Sequence, residues 1–438
     1  MRIRRTWIAL AMAASIGCGE SSRDSESESE QDEAPIWIVA PHPDDEALMA
    51  AHLIARDASR TFVHLMTNGD LGCERDGWQR QRETLAAMRV LGVAPERVRF
   101  LSYPDGFLDA LGVVPLPPRE RRLEDGTCGT GATTYAHDVH TALEGRPGVY
   151  VAENAIGDLA TLLARDRPSD VYVSHPFDDH PDHATTYVLL RRAIERAMID
   201  APPRVHRALV HAGGCWPNGS EPHEPCGPAG ESRGAPYPPL PGTLARYVPS
   251  ERIPVPDGGA LARRAIAEYR SQLHVDVEHD WLGDFARGES IFWVESLVRD
   301  PMHPERLVRE PAEGASPQRV SFDARVAADA TATVRLSSGH DDDASYTLEI
   351  VGDREVAVRS GERVLRRVHI PDDAARHAEH RWELRIDPRP DEGHVVELEL
   401  RREGALLAVV IGPAPFRPIT GTLARGEVEG VAIVSEPR

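Results

Sequence analysis

Between residues 36 and 198 short apolar runs alternate with longer segments of helical periodicity, and this alternation constrains the fold more than any other feature of the chain. Ile36-Trp37-Ile38-Val39-Ala40 is an apolar run stopped by proline, as expected of a buried strand. Residues 47–58 then read as a helix, 61–66 as a strand, 76–91 as a helix, 98–101 as a strand, 156–165 as a helix, 171–174 as a strand and 183–198 as a helix. Such a βαβ rhythm predicts a Rossmann-like, mostly parallel sheet with helices on both faces, whose ligand crevice lies at the carboxyl ends of the strands. Two stretches, 109–150 and the proline- and glycine-rich 213–257, read as insertions placed to shape a binding surface. From residue 316 the period changes to two, as in Tyr346-Thr347-Leu348-Glu349-Ile350 and Val396-Glu397-Leu398-Glu399-Leu400. The expectation is an α/β domain over 35–315 and an all-β sandwich over 316–438, separable from each other.

Two polar runs stand where such a sheet places its site. His42-Pro43-Asp44-Asp45-Glu46 follows the first strand, and His175-Pro176-Phe177-Asp178-Asp179-His180-Pro181-Asp182-His183 follows the fourth. Imidazoles mixed with carboxylates suit a catalytic zinc site of two histidines and one carboxylate, with the other acids and histidine left for proton transfer. Taken singly, either run also reads as a helix cap and loop chemistry; two at two strand ends of one sheet argue for a site.

The runs Ala40-Pro41-His42-Pro43-Asp44-Asp45-Glu46 and Asp179-His180-Pro181-Asp182-His183 resemble the PIG-L/LmbE-like zinc-dependent N-acetylglucosaminyl deacetylases. Weaker marks are Thr67-Asn68-Gly69-Asp70, Arg80 with Glu83, Tyr103-Pro104-Asp105-Gly106, Ser271-Gln272 and Gly288-Glu289. The resemblance implies one zinc ion held by His42, Asp45 and His183, with Asp44 as general base and His180 as acid or charge stabiliser. It further implies that Asp182 orients His180 and that Arg80 contacts the substrate. The residue pattern alone leaves open which of Asp44 and Asp45 is the ligand, and it leaves Arg80 and Glu83 readable as a surface ion pair.

Residues 1–17 read as a signal peptide: three arginines in the first five residues, an apolar run far short of the roughly 20 residues that span a bilayer, then small residues. Ser15-Ile16-Gly17-Cys18 resembles a bacterial lipobox, which implies a lipid on Cys18 and a place in the bacterial cell envelope, facing the periplasm or exterior. Residues 18–34 alternate serine and acid and read as a solvated tether. Four cysteines remain, and in an exported chain they suggest two disulfides; of three pairings, Cys73 with Cys128 and Cys215 with Cys226 is favoured over a four-cysteine zinc site.

Acidic residues outnumber basic ones by 70 to 50, giving a net charge of −20, and every fixed cation is arginine because the chain has no lysine. That balance argues against a nucleic-acid partner, and the missing lysine excludes Schiff-base and P-loop chemistry within this chain. Ser337-Ser338-Gly339-His340-Asp341-Asp342-Asp343 reads as an acidic turn, with calcium binding as the rival, and the sandwich is reminiscent of lectin-like modules on pattern alone. The expectation is an exported amidohydrolase that removes an acyl group, acetyl first, from an N-acylated amino sugar or related conjugate. The alternatives are a sugar-binding lipoprotein built on the same fold and a zinc hydrolase of a non-sugar amide.

Overall fold

The structure, a computed structural model, describes residues 34–71, 77–111, 138–213, 216–218, 234–240, 245–273, 281–338, 345–352, 354–370, 379–393, 395–413 and 418–436. Met1–Ala34 is one unit and Pro35–Arg438 a second. Cys18, Cys73, Cys128, Cys215, Cys226, the tether up to residue 33 and residues 339–344 lie outside the described residues. Among the described residues no helix is long and apolar enough to cross a membrane.

The first half of the large unit is a seven-stranded sheet of order β3-β2-β1-β4-β5-β7-β6. Its strands are β1 (Ile36–Ala40), β2 (Thr61–Thr67), β3 (Val98–Tyr103), β4 (Asp170–Ser174), β5 (Arg204–Ala208), β6 (Glu251–Pro254) and β7 (Glu289–Glu295). The first five are parallel; β7 and β6 add an antiparallel edge. Every residue of β1 is buried, with Ile36, Ile38 and Ala40 in one core and Trp37 and Val39 in another, so an unbroken apolar run marks a strand covered on both faces. Helices α1 (Asp45–Arg56) and α2 (Gly77–Val90) pack on the first face through Leu53, Ile54, Ala87 and Met88. On the second face α4 (Ala152–Asp166) and α5 (Pro181–Ala197) contribute Ile156, Leu159, Leu190 and Ile194. Among the described residues this half also has the short helices α3 (Val139–Glu144) and α6 (Ala260–Ile266). The predicted α/β sheet is what the structure contains; β5 to β7, shorter or interrupted by polar residues, carry too little periodicity to be read in advance.

A two-stranded link, β8 (Leu297–Arg299) and β9 (Leu307–Arg309), leads into two five-stranded antiparallel sheets. One contains β10 (Gln318–Ala324), β15 (His380–Arg389), β16 (Val395–Arg402), β17 (Ala405–Pro413) and β19 (Val428–Ser435). The other contains β11 (Thr331–Ser337), β12 (Tyr346–Val351), β13 (Glu355–Ser360), β14 (Arg363–His369) and β18 (Gly421–Arg425). Their inner faces share Phe322, Trp382, Leu384, Leu348 and Val358 in one core, the face-to-face packing of a sandwich.

The two halves are less separable than the change of periodicity suggests. Leu406 and Val409 of β17 belong to the same core as Leu190 of α5. Between them runs a layer of buried charge. Arg207 of β5 donates to Glu397 of β16 at 2.7 Å, and Arg309 donates to the same carboxylate at 2.9 Å. Arg191 of α5 reaches Glu399 at 3.2 Å, and Arg401 of β16 reaches back to Glu195 of α5 at 2.6 Å. Burial opposes ionisation of Glu397, yet Arg207, Arg309 and Arg389 hold its carboxyl well below the usual range. Taking away one partner leaves a buried charge uncompensated, at a cost of about 3–5 kcal/mol. Glu397→Ala should therefore destabilise the protein by about that amount in a urea melt, and a chain ending at residue 315 should fail to fold as a soluble, cooperative unit. A truncated chain that melts like the full one would show that the layer contributes nothing to the stability of the α/β half.

Candidate active site

The site opens at the carboxyl ends of β1 and β4, which pair directly in the register Ile36 with Asp170 to Val39 with Val173. Beyond β1 the chain turns through Pro41 and Pro43 into α1. Asp44 stands at the helix N-cap with φ of 129°, a conformation that costs an L-residue about 1–3 kcal/mol and must be held by its surroundings. Two contacts hold it: its N–H donates to Glu46 Oε2 at 3.0 Å, and its carboxylate accepts from Arg80 Nη2 at 2.9 Å. Glu46, fully buried, also accepts from the Tyr269 hydroxyl. Beyond β4 the chain runs through Asp178 to His180, whose ring caps α5 by accepting from Asp182 N–H, while Pro181 takes the first helical turn.

These turns bring three donor atoms together from positions 141 residues apart in the chain. His42 Nδ1 lies 3.1 Å from Asp45 Oδ2, His183 Nε2 lies 3.1 Å from the same oxygen, and the two nitrogens are 3.3 Å apart. A tetrahedral zinc ion with bonds of about 2.0–2.1 Å has ligand atoms separated by about 3.3 Å, so the triangle has the size of one face of such a site. The outward nitrogens also face carboxylates. His42 Nε2 is 3.1 Å from Asp182 Oδ2 and 3.2 Å from Asp105 Oδ1, and His183 Nδ1 is 3.1 Å from Asp178 Oδ2. Carboxylate–imidazole pairs of this kind orient ligand rings and raise their basicity. On both counts the residues fit a zinc ion.

The electrostatics point the same way. Burial disfavours charge on every member, yet hydrogen bonds to Asp182 and Asp45 raise His42 well above its ordinary value. Asp178 and Asp45 bring His183 up to about 9 despite its burial, and His183 and His42 hold Asp45 well below the carboxylate range. The ring of carboxylates thus calls for positive charge at its centre, which a divalent cation would meet. Asp44 differs from its neighbour: burial pushes it up to about 6, with Arg80 pulling against the rise. Burial and the neighbouring His42 and His183 rings push His180 down to about 4, which leaves it neutral with Nδ1 accepting and the proton on Nε2.

A cavity of about 430 Å³ covers the cluster, lined on its polar side by His42, Asp44, Asp45, Arg80, Asp105 and His180. Its other wall is apolar: Leu48, Leu71, Leu273, Trp281 and Leu282. Gly69, at φ of 67°, lets Arg80 lie across it, since a Cβ there would collide with the guanidinium.

Most of the residues singled out in the sequence meet here, with three differences. The Asp182 carboxylate does not contact the His180 ring; it binds His42 and accepts from Gly106 N–H at 2.7 Å and Leu108 N–H at 2.9 Å, and only its backbone N–H reaches His180. Helix geometry explains this, because His180 as N-cap turns its ring onto the Asp182 amide while the Asp182 side chain, inside the first turn, points to the β1 loop. Nor do Arg80 and Glu83 form the alternative surface pair, since Glu83 is buried and accepts from Ser271 N–H and Oγ at 2.9 and 2.6 Å. His175 stays out of the cluster, buried with Nε2 2.9 Å from the Tyr247 hydroxyl. Residues that the sequence reading did not assign a role are Asp178, Asp105, Glu46, Tyr269 and His211. His211 was detectable in principle, since it ends the apolar run Ala208-Leu209-Val210 as the other site residues end theirs. It stacks on Trp281 with ring centroids 5.0 Å apart at the cavity wall.

If Asp182 serves His42, Asp182→Ala should weaken zinc binding by about 10–100-fold in a chelator competition, while His180→Ala should leave zinc affinity near the wild-type value. The reverse pattern would mean that Asp182 works through His180.

Residues 37–194 match the family described as PIG-L: GlcNAc-PI de-N-acetylase. No curated protein matches the chain. Among solved structures it is similar to N,N'-diacetylchitobiose deacetylase from Pyrococcus horikoshii, at 15% identity over 64% of this chain and 94% of that one, with a TM-score of 0.38. It is also similar to a conserved protein from Thermus thermophilus, at 21% identity over 55% and 80% with a TM-score of 0.32. A third, the zinc inhibited form of teicoplanin deacetylase Orf2, has 17% identity over 63% and 99% and a TM-score of 0.36. Residues 37–194, which contain both the β1 and the β4 loops, form a PIG-L domain.

Proposed function

We propose that the protein is a zinc-dependent amidohydrolase that removes an acyl group, acetyl being the simplest, from an N-acylated amino sugar or related conjugate. The observation that carries this reading is the donor triangle of His42, Asp45 and His183, whose His42 and Asp45 line the same cavity as Asp44 and Arg80. His42, Asp45 and His183 would hold the zinc ion, which would supply Lewis acidity to lower the pKa of a water and polarise the amide carbonyl. Asp44, fixed by Arg80 and Glu46 beside the triangle, takes a proton from the attacking water. As the new C–O bond forms, the Nε2–H of neutral His180 donates to the carbonyl oxygen that gains charge. The C–N bond then breaks as the proton held by Asp44 passes to the nitrogen, and the remaining proton of the new carboxyl group is taken up by the released amine, so that a carboxylate and an ammonium leave. Arg80 has two tasks, anchoring Asp44 and presenting a guanidinium to the substrate on the cavity wall.

The apolar wall of Leu48, Leu71, Leu273, Trp281 and Leu282 favours a second reading of the substrate, an amide whose amine part is not a sugar. Export and lipid anchoring through Cys18 belong to the same proposal and are supported by residues 1–18 of the sequence.

The test is release of primary amine from a panel of N-acylated sugars and non-sugar amides by zinc-loaded protein. Asp44→Asn should keep the zinc and lose about 10²–10⁴ in turnover, whereas Asp45→Ala should lose both zinc affinity and turnover. Loss of zinc from Asp44→Asn with retention by Asp45→Ala would exchange the two roles. Zinc binding with no amine released from any member of the panel would favour a sugar-binding protein built on this fold.

A further inference from the structure

The two histidines of the triangle each face an outer carboxylate; Asp178 sits in one loop that strand β14 of the sandwich touches, and Asp182, in the first turn of α5, is bound by another. Asp178 is the hub of the β4 loop. Its side chain accepts from the backbone N–H groups of His180, Val210 and His211 at 3.0, 2.9 and 2.9 Å and meets His183 Nδ1 at 3.1 Å. Its own backbone carbonyl accepts from Arg366 Nη1 of β14 at 3.2 Å. Asp182, the partner of His42, is held by the N–H groups of Gly106 and Leu108. The next residue, Asp109, faces His369 at the other end of β14, 4.0 Å away. One strand, from the half of the chain outside the family match, therefore touches both supporting loops, by a hydrogen bond at Asp178 and a half-exposed contact at Asp109.

We infer that β14 is a positioning strap for the metal site, and that Arg366 is its principal contact. The guanidinium fixes the Asp178 carbonyl, and with it the loop whose carboxylate sets the His183 ring and the amides of Val210 and His211. Without that contact the carbonyl loses its donor from the sandwich, and His183 loses its fixed orientation toward His42 and Asp45. Arg366 touches neither the ligand atoms nor the cavity, so its effect is on the precision of the donor triangle. Arg367, the next residue, is exposed and bonded to Glu355 within the sandwich, which makes it a matched control.

The inference rests on the metal-site reading above for its effect on zinc, and a second readout tests it without zinc. In the full chain, Arg366→Met keeps an apolar stem and removes the donors, Arg366→Lys keeps a donor on a similar stem, and Arg367→Met is the control. Hydrogen–deuterium exchange without metal should show residues 178–183 and 208–213 exchanging faster in Arg366→Met than in wild type, with the sheet core and the sandwich unchanged. Zinc affinity by chelator competition should fall about 10–100-fold in Arg366→Met, recover in Arg366→Lys, and stay at the wild-type value in Arg367→Met. Wild-type exchange and wild-type affinity in Arg366→Met would overturn the inference, as would faster exchange spread over the whole chain with no recovery in Arg366→Lys. If Arg366→Met does not fold, Arg366→Gln carries the same comparison. A wild-type protein that binds no zinc would remove the proposed function, while the exchange result would still decide whether β14 holds the loops.

Discussion

The side-by-side pairing of β1 and β4 is the constraint on which the site depends. In this sheet the chain leaves β1 toward β2 on one side and later returns to place β4 on the other, so the crossovers at that point go to opposite faces: α1 to one and α5 to the other. The loops after β1 and β4 are pushed apart by those helices, and a crevice opens between them. His42, Asp44 and Asp45 enter it from one loop and His180 from the other, with Asp182 and His183 buried behind it against His42. A different neighbour for β1 would leave two half-sites, each with too few donors to bind a cation.

Burial of so much charge is sustained by pairing rather than by solvent. Asp45, Asp178 and Asp182 are at most 3% exposed, and each meets an imidazole. A second charged layer lies between the sheet and the sandwich, built on Arg191, Arg207, Arg309 and Arg401 against Glu397, Glu399 and Glu195. Helix α5 belongs to both layers: its first turn carries Asp182 and His183, and the rest of its length carries Arg191 and Glu195. Docking of the sandwich is thereby tied to the helix that bears a site histidine. A chain without lysine suits such an interface, because a guanidinium forks to several acceptors and stays charged when buried. Arg309 shows this, donating to both Glu392 and Glu397.

Strain at Asp44 fits the same picture. Its positive φ is maintained by Glu46 on one side and Arg80 on the other, and Glu46 is itself pinned by Tyr269 from beyond the family match. The residue that stands beside the donor triangle is thus positioned by contacts from three parts of the chain, and Glu83 with Ser271 ties two of those parts together a few residues away.

Local chemistry was enough to determine the strands β1 to β4, their helices and the two polar runs. Apolar runs ended by proline, and helical periodicity beginning at acid or His-Pro, are properties of neighbouring residues, so they are written in the order of the chain. The two-residue alternation of the sandwich is equally local. What the tertiary structure alone decided is which groups face each other. That Asp182 serves His42, that Glu83 binds Ser271, that Glu46 meets Tyr269 and that Arg366 reaches Asp178 all depend on pairs between 140 and 223 residues apart. The joining of the two halves was hidden for the same reason: an alternating strand such as Val396-Glu397-Leu398-Glu399-Leu400 reads as one buried and one solvated face. Only packing against α5 and β5 turns its glutamate face inward, where arginines from elsewhere in the chain make burial tolerable.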